Sequence, residues 1–299
     1  MNNLTLKQLR YFEAVASQGH FGRAAAVCAV SQPALSVQIK ELETDLGAKL
    51  FERDTRKVRL TAFGEQFRRR VADILRAVDE LGDLARAAQG GALARLRIGV
   101  IPTIAPYLLP AVIADLAQAQ PGLDIHVRET LTSRLLDELG QGKLDTAIVA
   151  LPVSEPSFVE APLFAEPFML VRPRSMAHRP VPASTELHTE RLLLLEEGHC
   201  FRDQALEVCH LPSAAPRDGL DASSLSTLVQ MVGAGLGMTL IPAMAVPVET
   251  RSAMVSVVPL QDVTPTRTVG MIWRKTSPLA DHLRQIADRV RDVAAANLT

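Results

Sequence analysis

A chain of 299 residues with 47% hydrophobic side chains has room for two or three domains, and its 32 Lys+Arg and 33 Asp+Glu leave it nearly neutral. No apolar run approaches the roughly 20 residues of a membrane span, and the start, MNNLTLKQLRYF, lacks the charged-then-apolar layout of a signal peptide, so a cytoplasmic protein with no membrane partner is expected. The neutrality hides an asymmetry: residues 1–90 carry 14 Lys+Arg against 11 Asp+Glu and the rest 18 against 22, a mildly basic head that permits nucleic-acid binding without establishing it.

Residues 5–17 place Leu6, Leu9, Phe12 and Ala16 on one helical face, and Gly19 ends that helix. A second short helix covers 21–27, and Cys28 lies among Ala and Val as core packing. Ser31-Gln32-Pro33 opens a third helix, with Ser at the cap and Pro in the first turn. It buries Leu35, Ile39, Leu42 and Leu46, turns Ser31, Gln32, Ser36, Gln38 and Lys40 to its other faces, and stops at Gly47. Two short helices joined by a tight turn form a helix-turn-helix, whose second helix meets base edges in the major groove. LFERDTRKVRLT then reads as a two-stranded wing, its turn carrying Arg53, Arg56 and Lys57 for phosphate contacts. Double-stranded DNA is the expected partner.

The run FGRAAAVCAVSQPALSVQIKELETDLGAKLFERDTRKVRLTAFG resembles the winged helix-turn-helix of the LysR-type transcriptional regulators, a resemblance that covers residues 1–65. It implies a long linker helix next. Residues 61–89 supply one, with Leu75, Val78, Leu81 and Leu84 as an apolar stripe that would pair two chains, and Gly90-Gly91 as a hinge. From residue 93 the pattern alternates strand and helix, as a parallel doubly wound sheet does: LRIGVIPT, a helix at 106–116, LDIHVRET, a helix at 133–139, and LDTAIVAL. FMLVR, LLLLE, a helix at 225–233 and MTLIP make a second unit, TVGMIW returns to the first, and a helix at 280–296 closes the chain. The GAGLG at 233–237 has the wrong spacing for a dinucleotide loop and reads as a helix end. The resulting fold class is α + α/β. A winged helix-turn-helix domain at 1–60 is followed by a linker helix and hinge at 61–91. A two-lobed regulatory domain at 92–299 has lobe I at 92–163 and 268–299 and lobe II at 164–267, a topology that the resemblance implies.

Residues 192–209, LLLLEEGHCFRDQALEVC, hold the reactive chemistry. A buried strand at 192–195 gives way to a turn, then His199, Cys200, and a short helix over 202–209. A thiol reacts as its thiolate, and the neighbouring His199 and Arg202 are placed to lower the pKa of Cys200. Cys209 is a second thiol; a helix between them rises about 13 Å, whereas a disulfide needs Cα atoms within about 7 Å. Two readings stand side by side: a redox switch that restructures to close, or two unrelated buried cysteines. Adjacent His-Cys with a nine-residue gap is poor zinc spacing, and no Walker, H-E-x-x-H or CxxC motif occurs.

The GHCFRDQ of this segment resembles the peroxide-sensing segment found in a branch of the same family, and IPT with PYLLP at 101–110 and LIPAMAVP at 240–247 fit that branch too. The resemblance implies that Cys200 is the peroxidatic thiol and Cys209 the resolving one. It places His199, Arg202 and Asp203 around the pocket, with Thr103, Thr132 and Arg267 contributing from elsewhere. The implied partners are hydrogen peroxide, DNA, RNA polymerase, a thiol reductant for reset, and further copies of the chain as a homodimer or homotetramer. No cofactor or metal is implied, nor an enzyme's role. A family member sensing a metabolite in the interlobe cleft, or a thiol peroxidase, are the competing expectations.

Overall fold

A computed structural model describes residues 4–53, 58–88, 93, 95–189, 191–209, 221–261 and 265–297, in two compact units, 1–85 and 86–299. In the first unit, α1 (Leu6–Gln18) is capped reciprocally by Thr5 and Gln8 and buries Leu9, Tyr11, Phe12 and Val15. Leu6, expected on that face, is 44% exposed at the helix start. α2 (Phe21–Val27) begins where His20 Nδ1 accepts from the Gly22 N–H at 3.0 Å. α3 (Gln32–Leu46) is capped by Ser31, and Leu35, Ile39 and Leu42 fill the space beneath it.

The fourth buried position of α3 is Glu43, and Leu46 is only half-buried, the reverse of what hydrophobicity dictates. The Glu43 carboxylate accepts from the Leu50 N–H at 2.9 Å and the Phe51 N–H at 3.2 Å, tying the helix to the wing. That wing pairs β1 (Phe51–Arg53) antiparallel with β2 (Val58–Leu60). α4 (Ala62–Ala88) follows, and at Gly64 any Cβ would run into the Leu50 carbonyl, so the close approach requires glycine. Leu75 packs on the core of this unit, whereas Ile74 and Leu81 are exposed, Leu81 at 63%. The Leu84 side chain and the Gly90-Gly91 hinge lie outside the described residues.

The second unit contains β3 (Arg95–Val100), α5 (Ala105–Ala119), β4 (Asp124–Glu129), α6 (Thr132–Gly140), β5 (Thr146–Leu151) and β6 (Phe158–Pro173). Next come β7 (Leu194–Leu195), α7 (Cys200–Val208), β8 (Asp221–Ala222) and α8 (Leu225–Gly233). The chain continues through β9 (Thr239–Pro242), α9 (Val246–Glu249), β10 (Val255–Val258) and β11 (Thr266–Arg274) to α10 (Ala280–Asn297). The sheet order is β10-β6-β11-β5-β3-β4, with β9 also on β6.

In the large sheet the pairings among β3, β4 and β5 are parallel and those of β11 with β5 and β6 antiparallel, so it is mixed rather than the parallel sheet that alternation suggested. The reason is β6, which carries the chain out of the first lobe as one continuous strand while β11 brings it back alongside. Two cores result. One gathers Leu96, Ile98, Ile148, Trp273 and Leu283, the other Phe168, Leu170, Leu195, Leu228 and Ile241. The GAGLG segment does end α8, with Gly235 at φ 83 before β9.

Candidate functional site

The site lies where α7 begins. The helix starts at Cys200, two residues earlier than the sequence pattern indicated, which puts the thiol in its first turn. There the unpaired N–H groups and the helix dipole favour an anion. Gly198, at φ 96 and where a Cβ would crowd Leu131 Cδ1 at 3.0 Å, makes the turn that delivers His199 and Cys200. Ile101, Pro102 and Thr103 after β3, Leu131 and Thr132 at the start of α6, and Gly198, His199, Cys200 and Phe201 enclose a cavity of about 10 Å³. That is room for one water-sized molecule.

Arg267, wholly buried on β11, donates from Nη1 to Thr103 Oγ1 at 2.8 Å and from Nη2 to the Thr103 carbonyl at 2.9 Å. Its Nε donates to Glu166 Oε2 at 2.8 Å, and its guanidinium lies 5.5 Å from the centre of the Phe201 ring. Because Thr103 Oγ1 accepts from an arginine, its own proton is free to donate into the cavity. Thr132 Oγ1 is buried beside the Cys200 sulfur.

Burial pushes the Cys200 thiol up from its ordinary pKa; the Thr132 hydroxyl, the Arg267 charge and the Phe201 N–H pull it down, Asp203 pushes it up, and the balance stays raised. Burial lowers His199 against an opposing pull from Glu196, so its imidazole is neutral at pH 7. Burial alone pushes Cys209 up to about 12.

The expected helpers of the thiol are therefore redistributed. Arg202 does not line the cavity; its Nη1 donates to the Leu195 carbonyl at 2.7 Å and to Asp221 at 3.1 Å, holding α7 against β7 and β8. Asp203 sits exposed on the first turn of α7. His199 does line the cavity, but the cation beside the sulfur is Arg267, delivered from β11 by the sheet. Thr103 and Thr132 face the sulfur from the first lobe. Cys200 packs against the core of that lobe, and Cys209, the C-cap of α7, is buried in the core of the other. Both are free thiols, as is Cys28. Glu166 and the Met244 N–H that it accepts at 2.9 Å carried no sequence signal. A roomier groove of about 530 Å³ runs past Gln204, Glu207, Val208 and Thr268 and includes neither Cys200 nor Thr103.

In the first unit, Gln32, Pro33 and Lys40 are exposed and Ser36 and Gln38 half-buried along the outer side of α3. Ser31 Oγ accepts from the Ala34 N–H at 3.4 Å, and Gln38 donates to Glu41 at 2.7 Å. The Arg53 side chain, Arg56 and Lys57 lie outside the described residues. Among the described residues no group of three or more His, Cys, Asp or Glu could hold a metal, and no helix is long and apolar enough to cross a membrane.

A winged helix-turn-helix joined to a two-lobed α/β domain defines a transcriptional regulator. Residues 6–65 match the family described as bacterial regulatory helix-turn-helix protein, lysR family, and residues 89–295 match the LysR substrate binding domain, so the chain belongs to the LysR family, a DNA-binding regulator rather than an enzyme. Within it, the chain belongs with the hydrogen peroxide-inducible genes activators. It is 42% identical over 291 residues to the DNA-binding transcriptional dual regulator OxyR of Escherichia coli K12, covering 96% of this chain and 95% of that one. The hydrogen peroxide-inducible genes activator of Dickeya chrysanthemi is 42% identical over 292 residues, 97% of this chain and 95% of the relative. Among solved structures, full-length OxyR from Pseudomonas aeruginosa superposes with a TM-score of 0.78 at 39% identity, over 97% of this chain and 96% of that one. A mutant OxyR from Corynebacterium glutamicum, bound to H2O2, gives 0.66 at 36% identity over 98% and 94%.

Proposed function

We propose that this regulator senses hydrogen peroxide at Cys200 and converts the oxidation into altered DNA binding. The observation that carries the reading is the cavity itself: it fits one very small molecule, touches a single thiol, and presents two threonine hydroxyls. Organic ligands occupy roughly 300–1,000 Å³; the groove of about 530 Å³ is of that size but has no cysteine in its lining, whereas the cavity at Cys200 is far too small for one. Peroxide bound there accepts from Thr103 and Thr132. The Cys200 thiolate attacks one oxygen, forming an S–O bond as the O–O bond breaks. The departing hydroxide gains a proton and leaves as water, so sulfur is oxidised to a sulfenic acid and peroxide is reduced. Hydrogen bonds from the threonines, with Arg267 behind Thr103, stabilise the charge that grows on the leaving oxygen.

Cys209 then displaces hydroxide from the sulfenic sulfur, yielding a Cys200–Cys209 disulfide and a second water. Since α7 holds the two thiols about 13 Å apart, the bond requires that helix to unwind and Arg202 to leave Leu195 and Asp221. The rearranged surface alters how regulatory domains pack in a dimer or tetramer, and the linker helices pass this on to the DNA-binding domains at 1–60. Gln32, Pro33, Ser36, Gln38 and Lys40 meet the groove from α3, and Arg53, Arg56 and Lys57 meet phosphates from the wing. RNA polymerase reads the outcome in the cytoplasm, and a thiol reductant resets the switch by exchange.

Stopped-flow peroxide consumption with mass spectrometry of each product tests the chemistry. Cys200→Ser should abolish the response, because a serine hydroxyl is neither ionised nor nucleophilic near neutral pH. Cys209→Ser should react once and stop at sulfenic or sulfinic acid. A Cys200→Ser protein that responded at the wild-type rate would overturn the reading in favour of metabolite sensing.

A further inference from the structure

We infer that Glu166 is a positioning residue of the peroxide site: its carboxylate fixes the direction of the Arg267 guanidinium and offsets its charge at the sulfur. The inference rests on the peroxide-sensing reading of Cys200. Glu166 on β6 and Arg267 on β11 are direct cross-strand partners. Glu166 is 1% exposed, and its two oxygens are engaged from opposite sides, Oε2 by Arg267 and Oε1 by the Met244 N–H. The second contact anchors the carboxylate to the backbone of the 3₁₀ turn after β9, so Arg267 is held against a fixed acceptor rather than a mobile one. The guanidinium in turn fixes Thr103 by its hydroxyl and its carbonyl. The chain of contacts thus runs from the Met244 backbone to the wall of the cavity without passing through solvent.

The same geometry governs charge. A buried guanidinium alone would act on the thiol as a full positive charge in a medium that screens it poorly. With the Glu166 carboxylate 2.7 Å away, the pair acts on Cys200 as a dipole of much shorter reach. The other groups facing this region are Asp203 and His199 at the start of α7, Thr132 on α6, and Tyr107 on α5, whose hydroxyl donates to Glu249 at 2.7 Å. None of them replaces the opposing charge at Arg267. Burial is what raises the thiol; Glu166 limits how far the arginine's charge opposes it, while aiming the arginine at Thr103. The site gains selectivity for a small oxidant that uses the threonine donors over electrophiles that need only a thiolate.

Two variants separate aim from charge in the full chain. Glu166→Gln removes the charge and leaves one acceptor oxygen for two donors. The alkylation of Cys200 by iodoacetamide should then show a midpoint lower by about one pH unit, while the peroxide rate constant falls about tenfold or more. Glu166→Asp keeps the charge but retracts the carboxylate, so the alkylation profile should hold its midpoint while the peroxide rate falls similarly. A purely structural role would slow peroxide and alkylation together in Glu166→Gln without lowering the alkylation midpoint, and this result overturns the inference. So does normal peroxide reactivity in both variants. Should Glu166→Gln fail to fold, as judged by circular dichroism, the Asp variant decides alone. A wild-type protein inert to peroxide overturns the sensing reading instead, and is told apart because the wild type, not the variants, fails.

Discussion

Cys200 is held between opposing forces: burial disfavours its thiolate, while a helix N-terminus, a hydroxyl and a cation favour it. The balance leaves the pKa above the ordinary thiol value, and a thiolate of higher pKa is the stronger nucleophile once formed. The resting site is therefore guarded, and its donors act chiefly on the reaction with a bound oxidant. The sign of the pH dependence follows. With the thiol raised, the peroxide rate should climb steadily as pH increases through neutrality and into the thiol range, with no plateau near pH 7. Stopped-flow rates across that interval check this, and a flat profile would show a thiolate already formed. Thr103→Val should slow peroxide about 10²-fold while alkylation of Cys200 changes little, since the lost hydroxyl serves the leaving oxygen rather than the thiol. His199→Ala should slow the first step more mildly, the neutral ring lining the cavity without supplying the sulfur.

At the scale of elements, the proposed switch requires α7 to change. Phe201, Ala205 and Leu206 bury it, and Arg202 pins its first turn. Weakening the helix should favour the disulfide, because in the proposed switch only the reduced form contains it. Ala205→Gly costs a helix interior about 1 kcal/mol, which should make the disulfide about 20 mV harder to reduce. Titration against glutathione buffers measures it, and an unchanged potential would mean that α7 survives oxidation. This helix was visible in the sequence as an amphipathic run, but its start was not, since nothing in GHCFRD distinguishes a turn residue from a first-turn one. The helix-turn-helix was legible because Ser31, Pro33 and Gly47 punctuate it and Leu35, Ile39 and Leu42 keep period. Of β6 only its second half, FMLVR, was legible; the first half, which holds Pro162 and Pro167, carries residues that disfavour a strand interior. In the sheet, Pro162 opposes Gly270 at the register shift and Pro167 meets Thr266 at the last pair, so neither interrupts the ladder. Missing the first half of β6 also missed Glu166, whose significance exists only across the strand from Arg267. Thr103, Thr132 and Arg267 were legible through family resemblance; chain topology, not spacing, brings them to one cavity.

At the scale of the whole molecule, the proposed regulation requires that α4 join two copies. Ile74, Val78 and Leu81 recur at i, i+4 and i+7 and so share one face of that helix. Ile74 and Leu81 are exposed to solvent and Val78 only half-buried. An apolar row of this kind on an otherwise charged helix is stable in water when a second chain covers it. Replacing Ile74 and Leu81 with Glu would place carboxylates facing each other across a two-fold interface, a repulsion that adds to the lost burial. The fold of 1–60 does not depend on these side chains, since its core gathers Phe12, Leu35, Ile39, Leu42 and Leu50. The double variant should therefore remain folded, sediment as a monomer, and bind a palindromic operator far more weakly, because one recognition helix engages one half-site. The slope of affinity against salt should fall to roughly half, as half the phosphate contacts are made. Light scattering and salt-dependent binding read both effects. Dimers that persist in the double variant would locate the pairing surface on the regulatory domain instead, and would make α4 a spacer whose exposed leucine answers to some other contact.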